Sequence, residues 1–180
     1  MASSTKNPIV LIRTSLGDIK AEIFEDKAPI TAKNFLRYVD HGLFDHTTFF
    51  RTVTMDNQPK NEFKIEVIQG GYPAKEGAYP AIYPPIEQET TEMTGLRHVD
   101  GSLSMARYKP GTESSSFSVV INDQPEMDYG GRRNPDRQGF AVFGRVVEGM
   151  DVVNTIHKQP YSFGDQRLKP PIEILMIRRL

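Results

Sequence analysis

Eight short segments rich in apolar, β-branched and aromatic residues run along this chain, and only two segments have helical spacing. In order, the eight segments are 9–14, 19–24, 47–53, 63–68, 101–107, 116–121, 140–147 and 171–177. Clusters of turn residues separate them, which is typical of strands. Their order does not match alternating strand-helix-strand units. It predicts a mainly antiparallel β-barrel whose ends are capped by helices.

The two helical segments follow the second strand and precede the last one. The first begins near Pro29 and can end at Gly42, and the second covers residues 150–156. Their apolar faces are formed by Ala32, Phe35, Leu36 and Val39 in the first helix and by Val152, Val153 and Ile156 in the second. Each helix is therefore amphipathic and suited to cover one end of a barrel.

The length and charge of the chain predict one domain that does not bind by bulk electrostatics. Its 180 residues can bury a single core, and we expect one domain at 9–180 after a flexible segment at 1–8. The formal net charge of -1 argues against nucleic acid or an anionic membrane as a partner. Without cysteine, no disulfide framework is possible. We expect the protein to be a monomer.

The start of the chain bears on the compartment. No run approaches the ~18 apolar residues of a membrane span, and the polar first eight residues lack the apolar core of a signal peptide. We expect a cytoplasmic protein if this is the native start. A periplasmic or secreted protein is expected if a leader has been removed.

One arginine lies within the aromatic segment at 47–53. Side chains alternate along a strand, so Phe49 and Arg51 are predicted to share one face and Phe50 to take the other. Arg51 then either extends into water at a strand end or lies beside apolar neighbours, in a shallow site for a neutral, partly apolar ligand. The residues alone leave both interpretations open.

Other motifs are weaker candidates for chemistry. The serines at 114–116 could include a nucleophile, but no Gly-x-Ser-x-Gly elbow is present. The basic run at 130–136 lacks the Gly-Lys-Ser/Thr ending of a phosphate loop. His41 and His46 have no third ligand nearby in the sequence, so we interpret them as surface histidines and predict no metal site.

Two irregular segments interrupt the strands. Residues 54–62 are polar and are predicted to form a surface loop. Residues 73–95 are rich in Pro, Tyr, Glu and Thr, and proline keeps much of this segment out of helix and central strand. A loop of this length in a compact domain is functional or packed against the body.

Across residues 10–177 the chain resembles the cyclophilin-type peptidyl-prolyl cis-trans isomerases. The motifs that carry the resemblance are Gly17-Asp18-Ile19, Ala28-Pro29, Asn34-Phe35, Thr48-Phe49-Phe50-Arg51, Gln69-Gly70-Gly71, Asp100-Gly101-Ser102-Leu103-Ser104-Met105-Ala106, Phe143-Gly144-Arg145-Val146 and Gly149-Met150-Asp151-Val152. Each motif is weak alone, but together, in this order and at this spacing, they are specific for the fold.

The resemblance implies an eight-stranded antiparallel closed β-barrel capped by two α-helices, with a peptide groove on an outer face. Arg51 matches the family's catalytic arginine, expected to donate to the prolyl nitrogen as the amide twists. Gln69 matches a groove glutamine, expected to hold a substrate carbonyl or Arg51 itself. Ala106 and Arg107 would offer backbone groups to the residues before proline. The implied partners are proline-containing polypeptides, and no cofactor is required.

The chain also departs from the family pattern. Phe50 stands where the family usually has a histidine, and Glu66 aligns with the aromatic that floors the proline pocket, although Phe63 could substitute. Ser116 and Ser118 replace a groove amide and a pocket phenyl. The predicted substrate-binding set therefore includes Phe50, Glu66, Ser116 and Ser118.

The proline pocket is expected to be shallower than is usual in the family. Glu126 and Met127 stand in place of a Trp-Leu pair, and Phe140 in place of a second histidine. The pocket is then built from Val67, Met127, Phe140 and Phe50.

Three hypotheses follow. The first is an isomerase, with altered activity, that acts on Xaa-Pro bonds of unfolded or flexible polypeptides and assists folding. The second is a catalytically weak scaffold that binds proline-containing peptides or a protein partner. The third is a ligand-binding barrel or hydrolase that resembles the family by chance.

Overall fold

Eight antiparallel strands close into a barrel in the computed structural model, which describes residues 6–73 and 82–180. The strands are β1 (Ile9–Thr14), β2 (Gly17–Ile23), β3 (Thr47–Val53), β4 (Val67–Gly71), β5 (Ser102–Met105), β6 (Ser116–Val120), β7 (Val142–Glu148) and β8 (Arg167–Arg179). Around the barrel their order is β1-β2-β7-β5-β6-β4-β3-β8. The predicted eight-stranded barrel is confirmed. β4 begins four residues after the start of the predicted segment at 63–68, because residues 63–66 belong to the preceding loop.

The two predicted helices are present as α1 (Pro29–Asp40) and α3 (Met150–His157). A short third helix, α2 (Thr91–Thr94), lies within the segment that was predicted to be wholly irregular. The Thr90 side chain accepts a hydrogen bond from the Met93 amide at its start, and Gly95 ends it with a φ of 75°. Four residues are too few to show helical periodicity in a sequence. The predictions for residues 1–5 and 74–81 lie outside the described residues.

Aromatic side chains fill the barrel interior. The Phe35 ring of α1 lies 5.4 Å from Phe117 and 5.0 Å from Phe143, measured between centroids. Phe117 also contacts Phe44 and Phe49, at 5.5 and 5.8 Å. Rings at these separations contribute contact energy beyond the area that they bury. The first helix, the turn that follows it and strands β3, β6 and β7 are thereby joined in one core.

The two longer helices lie toward opposite ends of the barrel. Phe143, near the start of β7, packs on α1 through Phe35. Val146 lies toward the other end of β7, next to α3. Gly101 approaches both, since a Cβ added at Gly101 would lie 3.6 Å from Val146 and 3.4 Å from the Met150 sulfur of α3. The interior is therefore closed by side chains at both ends.

A β-bulge in β3 sets the position of the arginine. The pairing of β3 with both β4 and β8 shifts register between Phe49 and Arg51. Phe49 is fully buried in the barrel core, whereas Arg51 is half-buried on the outer surface. The prediction that these two side chains share a face is therefore wrong, because the extra residue in the bulge reverses the alternation.

The Gln-Gly-Gly sequence of β4 fits the same arrangement. Gly70 pairs with Phe49, and a Cβ at Gly70 would lie only 2.7 Å from the Phe49 ring. Glycine therefore makes room for the inward-facing phenyl, while Gln69, the preceding residue, faces outward beside Arg51.

Residues 6–73 and 82–180 contain neither a membrane-spanning helix nor a cluster of metal-ligating side chains. No helix in these ranges has the length and apolar character needed to cross a membrane. No group of three or more His, Asp or Glu side chains there is arranged to hold a metal ion. The two histidines weighed above contact other groups, since His41 contacts the Tyr83 hydroxyl and His46 lies 2.8 Å from a Glu173 carboxylate oxygen.

Candidate active site

A cavity of ≈ 190 Å³ opens on the outer face of the barrel at β3, β4, β5 and β6. Its lining residues are Arg51, Ile65, Val67, Gln69, Ser104, Met105, Ala106, Arg107, Ser118, Met127, Arg133, Asn134 and Phe140. Small-molecule pockets have volumes of about 300–1,000 Å³. This cavity is smaller and suits a single ring-sized side chain with its adjoining amides.

The floor of the cavity is apolar. Ile65, Val67 and Met127 belong to a hydrophobic cluster separate from the barrel core, and Phe140 packs against that cluster. Met127 is carried by a short 3₁₀ helix, Pro125–Met127, that follows β6. This apolar floor favours a ligand that places an uncharged, apolar group against it.

Arg51 is held by two glutamine side chains. Its Nη1 donates to Gln69 Oε1 at 3.1 Å, and its Nε and Nη2 both donate to Gln166 Oε1, at 2.9 and 2.6 Å. Three of the five N–H groups of a guanidinium are used in this way. These two glutamines contribute neutral amide oxygens, so their hydrogen bonds orient the guanidinium without placing a negative charge beside it.

Gln69 is in turn oriented by Ser116. The Gln69 Nε2 donates to Ser116 Oγ at 2.9 Å, which directs the amide oxygen toward Arg51. Ser116 is fully buried and does not line the cavity. Its place in the site is therefore behind Gln69 rather than against a substrate.

Gln166 connects Arg51 to a distant part of the chain. Its Nε2 donates to the Asn57 backbone oxygen at 2.9 Å, and its own backbone oxygen accepts from the Thr52 amide at 3.0 Å. Gln166 has a φ of 63°, in the left-handed region. The residue directly before β8 thus links the arginine to the loop between β3 and β4.

The Arg107 side chain lines the cavity, but its guanidinium binds another part of the protein. It is buried, and its Nη1 and Nη2 donate to the two Asp136 carboxylate oxygens at 2.9 and 3.0 Å. Arg107 thereby lowers the pKa of Asp136 below its usual value. The loop that carries Asp136 is consequently held against Arg107, two residues after β5.

The Ala106 backbone amide is not free for a substrate, because it donates to the Ser116 carbonyl at 3.0 Å within the barrel.

Ser104 in the cavity wall begins a hydrogen-bonded series. Its Oγ lies 2.9 Å from His98 Nε2, and His98 Nδ1 lies 2.7 Å from Asp128 Oδ1. Burial lowers the pKa of His98, with an opposing contribution from Asp128. Burial favours the neutral imidazole. His98 thereby connects Ser104 in the cavity wall to Asp128, the residue after the 3₁₀ helix.

A sequence model described as cyclophilin type peptidyl-prolyl cis-trans isomerase/CLD matches residues 9–179. The chain belongs to this family. Cyclophilin-type relatives with curated names cover most of its length. It is 32% identical to a peptidyl-prolyl cis-trans isomerase of Acinetobacter baylyi, over 98% of this chain and 88% of the relative. It is 35% identical to peptidyl-prolyl cis-trans isomerase B of Escherichia coli, over 82% of this chain and 83% of the relative.

Solved cyclophilin structures have the same fold. A cyclophilin-type peptidyl-prolyl cis-trans isomerase of Cryptosporidium parvum superposes with a TM-score of 0.77 at 26% identity, covering 97% of this chain and 98% of that one. A second crystal structure of that protein, in the presence of the dipeptide Ala-Pro, gives a TM-score of 0.76. The two superpositions cover 97% and 96% of this chain.

Most of the site residues expected from the cyclophilin resemblance meet at this cavity. Those in its lining are Arg51, Val67, Gln69, Ala106, Arg107, Ser118, Met127 and Phe140. Ser118 pairs with Ser104 across β5 and β6, and both line the cavity. Ser118 is the residue expected from the resemblance to replace a pocket phenyl. Their roles in binding remain predictions.

Phe50 and Glu66 lie elsewhere, contrary to the expectation that they face the proline. Phe50 is buried at the bulge, with the Arg167 guanidinium 5.0 Å above its ring. The Glu66 carboxylate accepts a hydrogen bond from Asn122 at 2.8 Å and does not line the cavity. Ile65, the residue before Glu66, is in the lining instead, and both residues belong to the loop that precedes β4.

Sequence reasoning missed three polar groups of the site. Gln166 is 115 positions from Arg51 and belongs to no motif. Arg133 and Asn134 lie in the basic run at 130–136, which was predicted to be a long turn and not part of the site. The available signal was that this run lies between Met127 and Phe140, two residues already assigned to the pocket, so the segment starts and ends at the cavity.

Proposed function

We propose that this cyclophilin-type chain accelerates cis-trans isomerisation of Xaa-Pro bonds in unfolded or flexible polypeptides. The observation that carries the proposal is the Arg51 guanidinium, oriented by Gln69 and Gln166 at the edge of an apolar-floored cavity. A proline ring fits the size and character of the floor. The Arg51 side chain is then placed beside the bond that must rotate.

The chemistry requires only that the twisted amide be bound more tightly than either planar form. The barrier, on the order of 20 kcal/mol, arises because rotation breaks the resonance of the peptide bond. As resonance is lost, the prolyl nitrogen regains a lone pair that accepts a hydrogen bond. Arg51 supplies a permanently charged, rigid donor for that lone pair. No proton is transferred and no covalent bond is made or broken.

Proline-containing peptides are the expected ligands. The Cryptosporidium parvum relative was crystallised in the presence of Ala-Pro, and the chain aligns with that structure over 96% of its length. Uncatalysed prolyl isomerisation takes tens to hundreds of seconds and limits the folding of many chains. We therefore propose that the protein assists folding by removing this slow step.

A weakly catalytic scaffold is the alternative, and Ser118 is the residue that favours it. A serine contributes little apolar surface to the wall where a phenyl is expected, so proline is held by fewer contacts.

Isomerisation of short peptides decides between these functions. NMR exchange spectroscopy would measure the interconversion rate in Ala-Xaa-Pro-Ala peptides, with several residues at Xaa, with and without the protein. The isomerase predicts acceleration at catalytic concentrations of protein. Peptide binding without acceleration at any Xaa would support the scaffold and contradict the proposed activity.

A further inference from the structure

The cavity beside Arg51 is rich in positive charge. Arg51, Arg107 and Arg133 all line it, and none of the described lining residues is aspartate or glutamate. Arg107 is matched by Asp136, which binds it through both carboxylate oxygens. The charge balance at the cavity therefore depends on the surroundings of the remaining arginines.

Arg133 is partly buried and is held by neutral groups. Its Nη1 donates to Gln58 Oε1 at 2.7 Å and to the Phe63 carbonyl at 3.0 Å. Within the part of the chain that the structure describes, Arg133 forms no salt bridge. Burial, together with repulsion from Arg51, lowers the pKa of Arg133 to about 10. The side chain is still cationic at neutral pH, and an anion placed beside it would relieve both costs.

The neighbouring arginine shows that this arrangement is specific. Arg132 is exposed and forms a salt bridge with Glu126, 2.8 Å from its Nη2. It also lies 4.1 Å above the Phe63 ring. The two adjacent arginines thus differ. Arg132 is paired with a carboxylate at the surface, whereas Arg133 lines the cavity and is bonded to neutral oxygen atoms.

Asn134 adds a second, independent sign of a ligand. Its Nδ2 is buried, has no hydrogen-bond partner and belongs to a residue that lines the cavity. A buried donor without a partner costs free energy, because it has lost its hydrogen bonds to water. An acceptor from outside the protein would satisfy it.

We propose that Arg133 and Asn134 form a carboxylate subsite beside Arg51, which selects Xaa-Pro substrates with an acidic group adjoining the proline. The inference rests on the proposed function for its substrate, because the subsite adjoins the cavity assigned to proline. The carboxylate comes either from an Asp or Glu next to the proline or from the end of a chain that terminates in proline. Arginine and an amide N–H₂ are suited to a carboxylate because they present several donors together.

The structural alternative is that Arg133 only joins two loops. Its bonds to Gln58 and Phe63 do connect the β3–β4 loop to the segment after the 3₁₀ helix. That role predicts equal effects of substitution on all peptides. A carboxylate subsite predicts effects that depend on the charge of the peptide.

The test compares matched peptides by both affinity and rate. The set is Ala-Ala-Pro-Ala-amide, the same peptide with Glu before or after proline, and Ala-Ala-Pro with a free or an amidated end. NMR titration gives Kd, and exchange spectroscopy gives the rate. The wild-type protein is expected to bind at least one carboxylate-bearing peptide about tenfold more tightly than its neutral counterpart. The position of the preferred carboxylate distinguishes a side chain from a chain end.

Three variants locate the preference. Arg133→Gln is expected to remove it, Arg133→Lys to retain part of it, and Arg132→Gln, which makes the same charge change outside the cavity, to leave it intact. Equal weakening of neutral and acidic peptides by Arg133→Gln would overturn the proposal, as would a wild-type protein without preference. If no peptide is isomerised, the proposed function fails, while Kd values still decide the carboxylate subsite.

Discussion

Gln166 Oε1 accepts two hydrogen bonds from the Arg51 guanidinium, at 2.9 and 2.6 Å, although 115 positions separate the two residues. The same glutamine donates to Asn57 in the loop after β3. The candidate catalytic arginine is therefore positioned by the start of the last strand and by a loop. Its own strand supplies only its place on the outer face.

Replacing Gln166 by alanine tests this positioning. Gln166→Ala is expected to lower kcat/KM for an Xaa-Pro peptide roughly tenfold, since hydrogen bonds to charged groups contribute about 1.5–3 kcal/mol. It is expected to have no further effect in an Arg51→Ala background. Gln159→Ala is the control, because the Gln159 side chain donates to the Thr155 carbonyl of α3 at 3.1 Å and does not line the cavity. Additive losses in the double variant would show that Gln166 acts independently of Arg51.

No sequence pattern could have found this contact. Runs of apolar residues gave the strands because alternation and β propensity are local properties. The partner of Arg51 depends on how β8 closes the barrel against β3, which is a property of the tertiary structure. Family resemblance supplied Arg51 and Gln69, and it did not extend to Gln166.

The floor of the cavity can be tested at Phe140. Phe140→Ala removes an apolar surface beneath the expected proline ring and is predicted to lower kcat/KM about tenfold, through a higher KM. Phe163, whose exposed fraction is 98%, offers a matched control in Phe163→Ala. Circular dichroism would verify that both variants are folded. Unchanged kinetics in Phe140→Ala would place the proline elsewhere.

His98 is expected to make the protein less stable in mild acid. Burial lowers its pKa below the ordinary value of 6.5, so the unfolded chain takes up a proton that the folded chain resists. The free energy of unfolding is therefore predicted to fall as pH drops below about 6.5 and to be fully regained above it. Urea unfolding between pH 7.5 and 5 would show this slope. A similar slope in His98→Gln would assign the effect to other groups.

The aromatic core provides a stability prediction that is independent of function. Phe117 is fully buried and contacts three other phenyl rings. Phe117→Ala is expected to cost about 3–5 kcal/mol in the free energy of unfolding, whereas Phe163→Ala is expected to change it by less than about 0.5 kcal/mol. Denaturant titration measures both. Similar small losses would mean that the core is not packed as described.

The bulge at β3 shows why a correct strand can still give a wrong face. Phe49, Phe50 and Arg51 lie in the predicted strand, yet one register shift turns Phe49 inward and leaves Arg51 on the outer surface. Side-chain alternation is reliable only while pairing is regular. Glu66 was misplaced for a different reason: it was assigned by family resemblance, and the adjacent Ile65 of the same loop lines the cavity instead.

The central claim is that Arg51 stabilises the twisted prolyl amide, and Arg51→Ala tests it most directly. NMR exchange would compare the wild type, Arg51→Ala and Arg145→Ala, an arginine whose side chain is 59% exposed outside the cavity. Loss of a transition-state donor costs about 10²–10³ in rate. The account predicts a loss of this size in folded Arg51→Ala and none in Arg145→Ala. A wild-type rate in folded Arg51→Ala would contradict it.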